Sequence, residues 1–560
     1  MARPTVLLKR LLIFIHRWLG VALSVIFLIW FVSGIVMMYW TFPAVSARDR
    51  LERAPRLEPA QIRVSPEHAA AAVAREPSPN EIRLTSFDGR PAYRIGGGGR
   101  GGGGGRGRGG AAAVVFADDG TQPPPVDDAM IDRAAERWAG RPLAEATKHS
   151  VEEVDQWTVA GALRNLRPMY KYSWPDGQQV YVDGNTANVV QYTTTSSRFW
   201  AYLGAIPHWL YFTPLRKHQE EWFAFVVYSS LIGTVAALIG VVVGVWMLSP
   251  RKRYRHAGVP TSIPYKGWKR WHTVTGLVFG VVTTTWAFSG LLSMGPFPVM
   301  QKLTDLTVPA PAQVDGTPGA GRGRGAGPNL NGALRGGRGG PRMDAYAGRT
   351  PAEAIAAVPD FDARELEYTS FAGRPLYLAT NGRGETRLIP VEGEPMARLR
   401  SEEVMEVVRQ ALGTDVAELR MIDQYDAYYR DRTRQRPLPV IYARLNDSIG
   451  TRFYVDPGTA TVVAQYSARG WVQRWLYNGL HSLDFPWLYN YRPLWDIVVI
   501  TLMLGGTALC VTSLMMTWRV LARKAVAFAR ARLTVPNDDL VEVKSVGGNA
   551  TPLRTPSISH

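Results

Sequence analysis

The stretch HRWLGVALSVIFLIWFVSG at 16–34 decides the fold, because HTVTGLVFGVVTTTWAFSG at 272–290 repeats its pattern 256 residues later. His16, Gly20, Trp30, Ser33 and Gly34 recur as His272, Gly276, Trp286, Ser289 and Gly290. Each copy lies in an apolar run able to cross a hydrocarbon layer of roughly 30 Å, which takes about 20 helical residues. Those runs are 11–40 and 273–294, and 222–248 and 494–518 complete a set of four.

The repetition extends outward into the polar sequence. TSFDGRP at 85–91 returns as TSFAGRP at 369–375, and VYVDGNTANVV at 180–190 returns as FYVDPGTATVV at 453–463. Asp155-Gln156-Trp157 returns as Asp423-Gln424-Tyr425, and His208 in AIPHWLYF matches His481 in NGLHSLDF. An internal period of this kind implies one structural unit used twice: a helix in, a polar domain, a helix out. Within each polar domain, helix-like segments such as 66–74 and 128–140 precede alternating segments such as EIRLTSF and QVYVD. That pattern predicts small α+β domains with antiparallel sheets, two helix-plus-sheet units per half.

The chain therefore reads as an α+β membrane protein with four transmembrane helices in two internal repeats, each repeat carrying an extracytoplasmic α+β domain. Helix 1 falls in 1–40 and the first domain in 41–200, with a glycine-rich loop at 96–110. An interfacial segment and helix 2 occupy 201–250, a basic loop 251–272 and helix 3 residues 273–296. The second domain spans 297–470 with a glycine-rich loop at 319–340; 471–518 holds an interfacial segment and helix 4, and 519–560 is a tail, disordered beyond about 530. Lys9 and Arg10 precede the first run, Arg251, Lys252, Arg253, Arg255, Lys266, Lys269 and Arg270 separate the second and third, and Arg519, Arg523 and Lys524 follow the fourth. The positive-inside rule then makes both termini cytoplasmic and both domains periplasmic in a bacterial inner membrane. A cleaved signal peptide ending near Val45-Ser46-Ala47 is the rival reading of the first run, but the run exceeds a usual signal h-region and has an internal copy.

Composition narrows the chemistry. The 560 residues exceed one hydrophobic core. Mean hydropathy is −0.09, an average that conceals the four runs. A single cysteine, Cys510, excludes intramolecular disulfides, Cys-ligated iron–sulfur clusters and cysteine-rich zinc sites. Of the basic residues behind the net charge of +17, several arginines sit in glycine-rich tracts and many others flank the spans, which argues against nucleic acid as a partner and leaves membrane lipid.

Metal or redox chemistry must rest on histidine. Of nine histidines, His16, His272, His208 and His481 are matched across the halves, while His68, His149, His218, His256 and His560 are not. An ionisable side chain within a span is a functional hypothesis by default. His16 and His272 share one depth near the cytoplasmic boundary and can supply opposite axial ligands to one haem iron. Gly20 and Gly276, one turn deeper, leave room for a flat macrocycle or for close helix packing. His208 and His481 lie on aromatic segments near the far interface and suggest a second haem, although those aromatics also suit an interfacial belt. Pairing within one half, rather than between halves, stays open. Zinc competes poorly because each site offers two imidazoles without a matched carboxylate or thiolate. Two haem b groups at different depths make a conduit for electrons, and filled axial positions favour electron transfer over oxygen chemistry.

H-R-W-L-G opening the first helix, S-G near its far end, the D-G/P-x-T-A-x-V-V segments and a histidine ahead of helices two and four together resemble the PepSY-associated transmembrane helix family. The resemblance covers nearly the whole chain outside the glycine tracts and tail. The third helix departs from it, opening W-H-T-V-T-G and keeping only the histidine and the glycine four residues on. The resemblance implies PepSY-like periplasmic domains, and a protein similar to iron-regulated inner-membrane di-haem reductases of ferric siderophores. It also implies axial roles for His16, His272, His208 and His481. The expected activity is an oxidoreductase one: electrons from a quinol or a separate cytoplasmic reductase reduce a ferric chelate or siderophore, with no catalytic acid or base. Trp209, Tyr211, Trp487 and Tyr489 are the expected docking surface for that acceptor, or else membrane anchors. The alternative is a non-redox scaffold or regulator whose periplasmic domains bind or inhibit proteins; a transporter is disfavoured because no span carries a charge pathway.

Overall fold

The computed structural model describes residues 4–73, 78–96, 113–295, 329–336, 341–467 and 470–533. Most of the 96–110 tract and part of the 319–340 tract lie outside these residues, as does the tail beyond 533. Four helices, Pro4–Met37, Gln219–Met247, Gly267–Ser293 and Leu494–Leu533, are long and apolar enough to cross a membrane. This is a membrane protein. They are called the first to fourth spans below.

Two ends differ from the sequence expectation. The third span starts at Gly267, so Lys269, Arg270 and Trp271 are helical and belong to the span's first turns, not to the basic loop. The fourth continues past Trp518 to Leu533. Residues 519–533 are rich in Arg, Lys and Ala, all good helix formers, and hold no glycine or proline to stop the helix. The loop between the second and third spans carries a small hairpin.

Sixteen strands are described: β1 Ile82–Phe87, β2 Arg90–Ile95, β3 Ala113–Phe116, β4 Thr147–Ser150, β5 Met169–Ser173, β6 Gln179–Asp183, β7 Val189–Thr193, the loop hairpin β8 Tyr254–His256 and β9 Val259–Thr261, β10 Ala363–Phe371, β11 Arg374–Asn381, β12 Thr386–Pro390, β13 Val416–Ile422, β14 Val440–Leu445, β15 Arg452–Asp456 and β16 Thr461–Tyr466. The sheets are antiparallel. One has six strands, β12-β11-β10-β1-β2-β3, and two have four, β4-β5-β6-β7 and β13-β14-β15-β16.

The six-stranded sheet corrects the expectation of two separate polar domains. β1 from the first segment pairs with β10 from the second, with Leu84 opposite Leu366 and Arg83 opposite Glu367. Each three-stranded meander has an unpaired edge, and joining the edges satisfies both. Arg83 reaches Glu367 at 3.3 Å and Glu365 at 3.7 Å across the seam. Behind it Leu84, Tyr93, Leu366, Tyr368 and Tyr377 fill one buried cluster drawn from both segments. Each four-stranded sheet packs a 12-residue helix on one face, Asp128–Ala139 on β6 and Ser401–Leu412 on β13 and β14. The first of these is fixed at both ends: the Asp127 carboxylate accepts from Met130 N–H, and Gly140 closes it at φ 63°.

Two further readings need correction. Part of the 319–340 tract is structured: Leu330–Leu334 is a helical turn whose Leu330 and Leu334 are buried in the second core, and Asn331 accepts from Val462 N–H at 2.7 Å. Asp426, not Asp423, has the hydrogen-bond surroundings of Asp155. Asp155 accepts from the hydroxyl of Tyr181 at 2.6 Å and from the N–H groups of Trp157 and Thr158. Asp426 makes the same set, to Tyr454 at 2.8 Å and to the N–H groups of Tyr428 and Tyr429.

The β1–β2 turn ties its sheet to helix Asp128–Ala139. Asp88 and Gly89 both take positive φ, 49° and 83°, as a tight two-residue hairpin requires. The Asp88 carboxylate accepts from Arg133 and Arg137. Burial raises its pKa, but those guanidinium contacts outweigh burial and hold it below the ordinary value. A depressed carboxylate stabilises fully above the unfolded value of about 3.9 and loses that contribution as pH falls through the lower folded value. Asp88→Asn, which tolerates the same backbone, is therefore expected to flatten the acid limb of a midpoint-versus-pH curve for thermal unfolding; an unchanged acid limb sinks the assignment.

Candidate functional site

The four histidines matched by sequence come together in two pairs. His16, on the first span, and His272, on the third, have ring centres 6.1 Å apart with planes inclined by 38°. His208, on the short helix Ala205–Trp209, and His481, on the turn Leu480–Ser482, also have ring centres 6.1 Å apart, inclined by 68°. Both pairs cross between the halves. With metal–nitrogen bonds of about 2 Å and about 1.2 Å from ring nitrogen to ring centre, imidazoles on opposite sides of one metal have centres about 6.4 Å apart. Both separations fit that span.

The hydrogen bonds decide which nitrogen is free. His16 Nδ1 donates to the carbonyl of Ala236 on the second span at 2.9 Å. His208 Nδ1 lies 3.2 Å from the carbonyl of Trp30 and 3.1 Å from Ser33 Oγ. The Ser33 hydroxyl itself donates to Ile29 O at 2.6 Å, so it accepts from the imidazole. Ser289 Oγ likewise donates to Trp286 O and accepts from His481 Nδ1 at 3.1 Å. Thr512 Oγ1 donates to Leu509 O at 2.7 Å and accepts from His272 Nδ1 at 3.2 Å. Each of these four rings is thus held as the Nδ1–H tautomer, and no hydrogen bond to a described residue engages the Nε2 of any of the four. Outer partners that fix tautomer and orientation are what metal-ligating imidazoles require. Each anchoring bond stays within one half, whereas each ring pair joins the two.

Local backbone aims the upper pair. The turns that carry His208 and His481 both stop at a leucine two residues later, Leu210 at φ 54° and Leu483 at φ 49°. A left-handed leucine costs about 1–2 kcal/mol, so packing must hold it, and the strain sits next to each ring. Glycines admit the rings. A Cβ on Gly34 would lie 3.5 Å from His208 Cε1, one on Gly290 3.7 Å from His481 Cε1, and one on Gly240 only 2.5 Å from His16 Cε1. Gly20 and Gly276, the glycines expected to give room, would meet only Ser513 Oγ at 3.8 Å and Leu509 Cδ1 at 3.7 Å.

Seventeen residues separate His16 from Ser33, so the two pairs are separated along the helix by about 25 Å at 1.5 Å per residue. Phe31 and Trp286, 5.8 Å apart, fill the bundle between those levels with Cys510. Phe31 lies over Gly506 and Phe279 over Gly505, where any side chain would collide with the rings.

A charged network that sequence reasoning missed braces the upper pair. The π-helical segment Val472–Gly479 carries Arg474, 4% exposed, which donates to Asp484 Oδ1 and to the Asp484 carbonyl, both at 2.9 Å. Arg430 also binds Asp484, which is 2% exposed, and burial raises the Asp484 carboxyl above its ordinary value despite both cations. Arg432 stacks over Trp495 at 5.7 Å and makes no hydrogen bond or ion pair with a described residue. Its charge acts on both His208 and His481. No short motif marks these arginines, because their partners are up to 54 residues away.

The expected docking aromatics divide. Tyr211 and Tyr489 are 8% and 7% exposed, Tyr211 in the core cluster with Trp209 and Trp222, and Tyr489 packed with Trp495. Arg216 stacks on Tyr211 and Trp222. Trp209 is half-buried and its carbonyl accepts from Trp222 Nε1 at 3.0 Å. Trp487 alone, 69% exposed, offers a face to a partner. Among the described residues no three of His, Cys, Asp and Glu converge on one point, so neither pair has the third protein ligand of a tetrahedral zinc site. Two imidazoles at this separation could instead hold an iron whose other positions a porphyrin would fill.

A family model described as PepSY-associated TM region matches residues 13–520. No curated protein matches the sequence.

Proposed function

This chain belongs to the PepSY-associated TM region family, and from that premise we propose that it is an oxidoreductase moving electrons across a bacterial inner membrane. In this reading His16 with His272, and His208 with His481, each hold one haem b. When bound, haem supplies reversible one-electron chemistry at an iron with no open position. The observation that carries the reading is the 6.1 Å separation in both pairs with all four Nδ1 atoms bonded elsewhere.

The chain's own groups divide the remaining work. Ala236, Thr512, Ser33 and Ser289 orient the rings, and the Nδ1–H bonds raise the basicity of Nε2. Arg432, which makes no ion pair with a described residue, acts on both His208 and His481, and its positive charge would favour the reduced state of a group held there. Phe31 and Trp286 exclude water between the two levels. The basic residues flanking the spans support a cytoplasmic side for His16 and His272, so in this reading electrons enter at that lower pair and leave near Trp487 to a periplasmic ferric chelate or siderophore. Reduction weakens the chelate's hold on iron. The repeated sequence segments support reading the bundle as a duplicated unit.

Protein purified from haem-supplied cells is expected to be red, with two haems per chain by pyridine haemochrome assay and b-type bands in reduced-minus-oxidised spectra. Once reduced, it is expected to be reoxidised by a ferric hydroxamate. Folded but colourless protein from the same cells overturns the reading and leaves the scaffold role.

A further inference from the structure

A groove opens between the third and fourth spans beside His272. Trp268, Trp271, Thr275, Ala508, Val511 and Thr512 line a cavity of about 650 Å³. That volume falls within the roughly 300–1,000 Å³ typical of small-molecule sites. Trp271 is 60% and Val511 42% exposed, and Ala508 is exposed too, so the mouth faces outward from the bundle, toward lipid. The floor is different. Thr512 is buried, and its hydroxyl is the atom that holds His272 Nδ1. It donates to Leu509 O and accepts from His272, which leaves one oxygen lone pair unused.

We propose that this groove binds the ring of a membrane quinol, and so names the electron donor of the function proposed above, on which it rests. An apolar slot lined by two indoles suits a substituted ring that diffuses within the bilayer, and the Thr512 lone pair can accept the quinol hydroxyl. A lipid chain would need no polar atom on the floor. The site's continuity with the histidine pair is covalent on one side, Trp271 preceding His272, and a single hydrogen bond on the other. The bound quinol becomes a quinone by losing two electrons and two protons. The electrons would pass one at a time to the iron of a haem that His16 and His272 would hold, and the protons would leave to water at the adjacent basic boundary.

The test uses the full-length haem-loaded protein with duroquinol as reductant and an azidoquinone as photolabel. Duroquinol is expected to reduce the wild type in anaerobic stopped-flow. The photolabel is expected to attach within 267–275 and 508–512, also in haem-free protein, and to be displaced by excess duroquinol. Ala508→Phe and, separately, Val511→Trp fill the slot. Each should slow reduction by duroquinol about tenfold while haem content and dithionite reduction stay unchanged. Labelling elsewhere, equal rates in the filled variants, or a wild type that dithionite reduces but duroquinol does not, overturns the quinol site and leaves the haem reading standing. Absence of haem overturns the reading beneath it.

Discussion

His16→Ala and His272→Ala are each expected to remove the same one of two haems, and His208→Ala and His481→Ala the other. Each pair shares a 6.1 Å gap, so losing either ring leaves a single imidazole on the metal. Haem content should fall from two per chain to one in all four variants. Two spectral classes should result, one for the lower pair and one for the upper. Gly240→Ala gives an independent route to the first class, because its Cβ would stand 2.5 Å from His16 Cε1 and force the ring off the Ala236 carbonyl. Two haems retained in all four histidine variants would refute the ligand assignment. Loss of both haems from each single variant would refute the separation into two sites.

Asp484→Ala is expected to destabilise the protein by about 3–5 kcal/mol, the usual cost of stranding a buried charge by removing its partner. Arg474 is 4% exposed, and its remaining acceptors would be main-chain carbonyls, including that of Ala427. Because Asp484 follows the strained Leu483, three residues from His481, the loss should fall on one ring. The variant should lose the upper haem at a temperature where the lower one persists. Adding Arg474→Met removes the stranded charge and should restore part of the stability, since apolar replacement of a buried pair is close to neutral. Thermal unfolding followed at both haem spectra checks this. Equal losses at the two sites, or no recovery in the double variant, would count against the brace.

The histidines were legible because repetition marks them: His16 and His272 share a motif, and His208 and His481 precede matching apolar runs. Of the anchors, Ser33 and Ser289 stood out in the sequence only as repeated residues, and their bonds to His208 and His481 appear in the structure. Ala236, Gly240 and Thr512 carry no local signal, since each acts on a ring 220 to 240 residues away or in the opposite wall of the bundle. The docking aromatics show the opposite failure. Trp and Tyr before a span suit an interface, a core or a binding face equally, and burial assigned Tyr211 and Tyr489 to the core and left Trp487 outside.

The sequence by itself determined the four spans, the strand-forming segments and the four chemically distinctive side chains, because hydrophobic length, alternation and residue type are local properties. Tertiary structure decided which ring faces which, that β1 and β10 join the polar segments in one sheet, and that Asp426 has the hydrogen-bond surroundings of Asp155. Those are contacts between residues far apart in the chain, fixed by packing and hydrogen-bond satisfaction across elements.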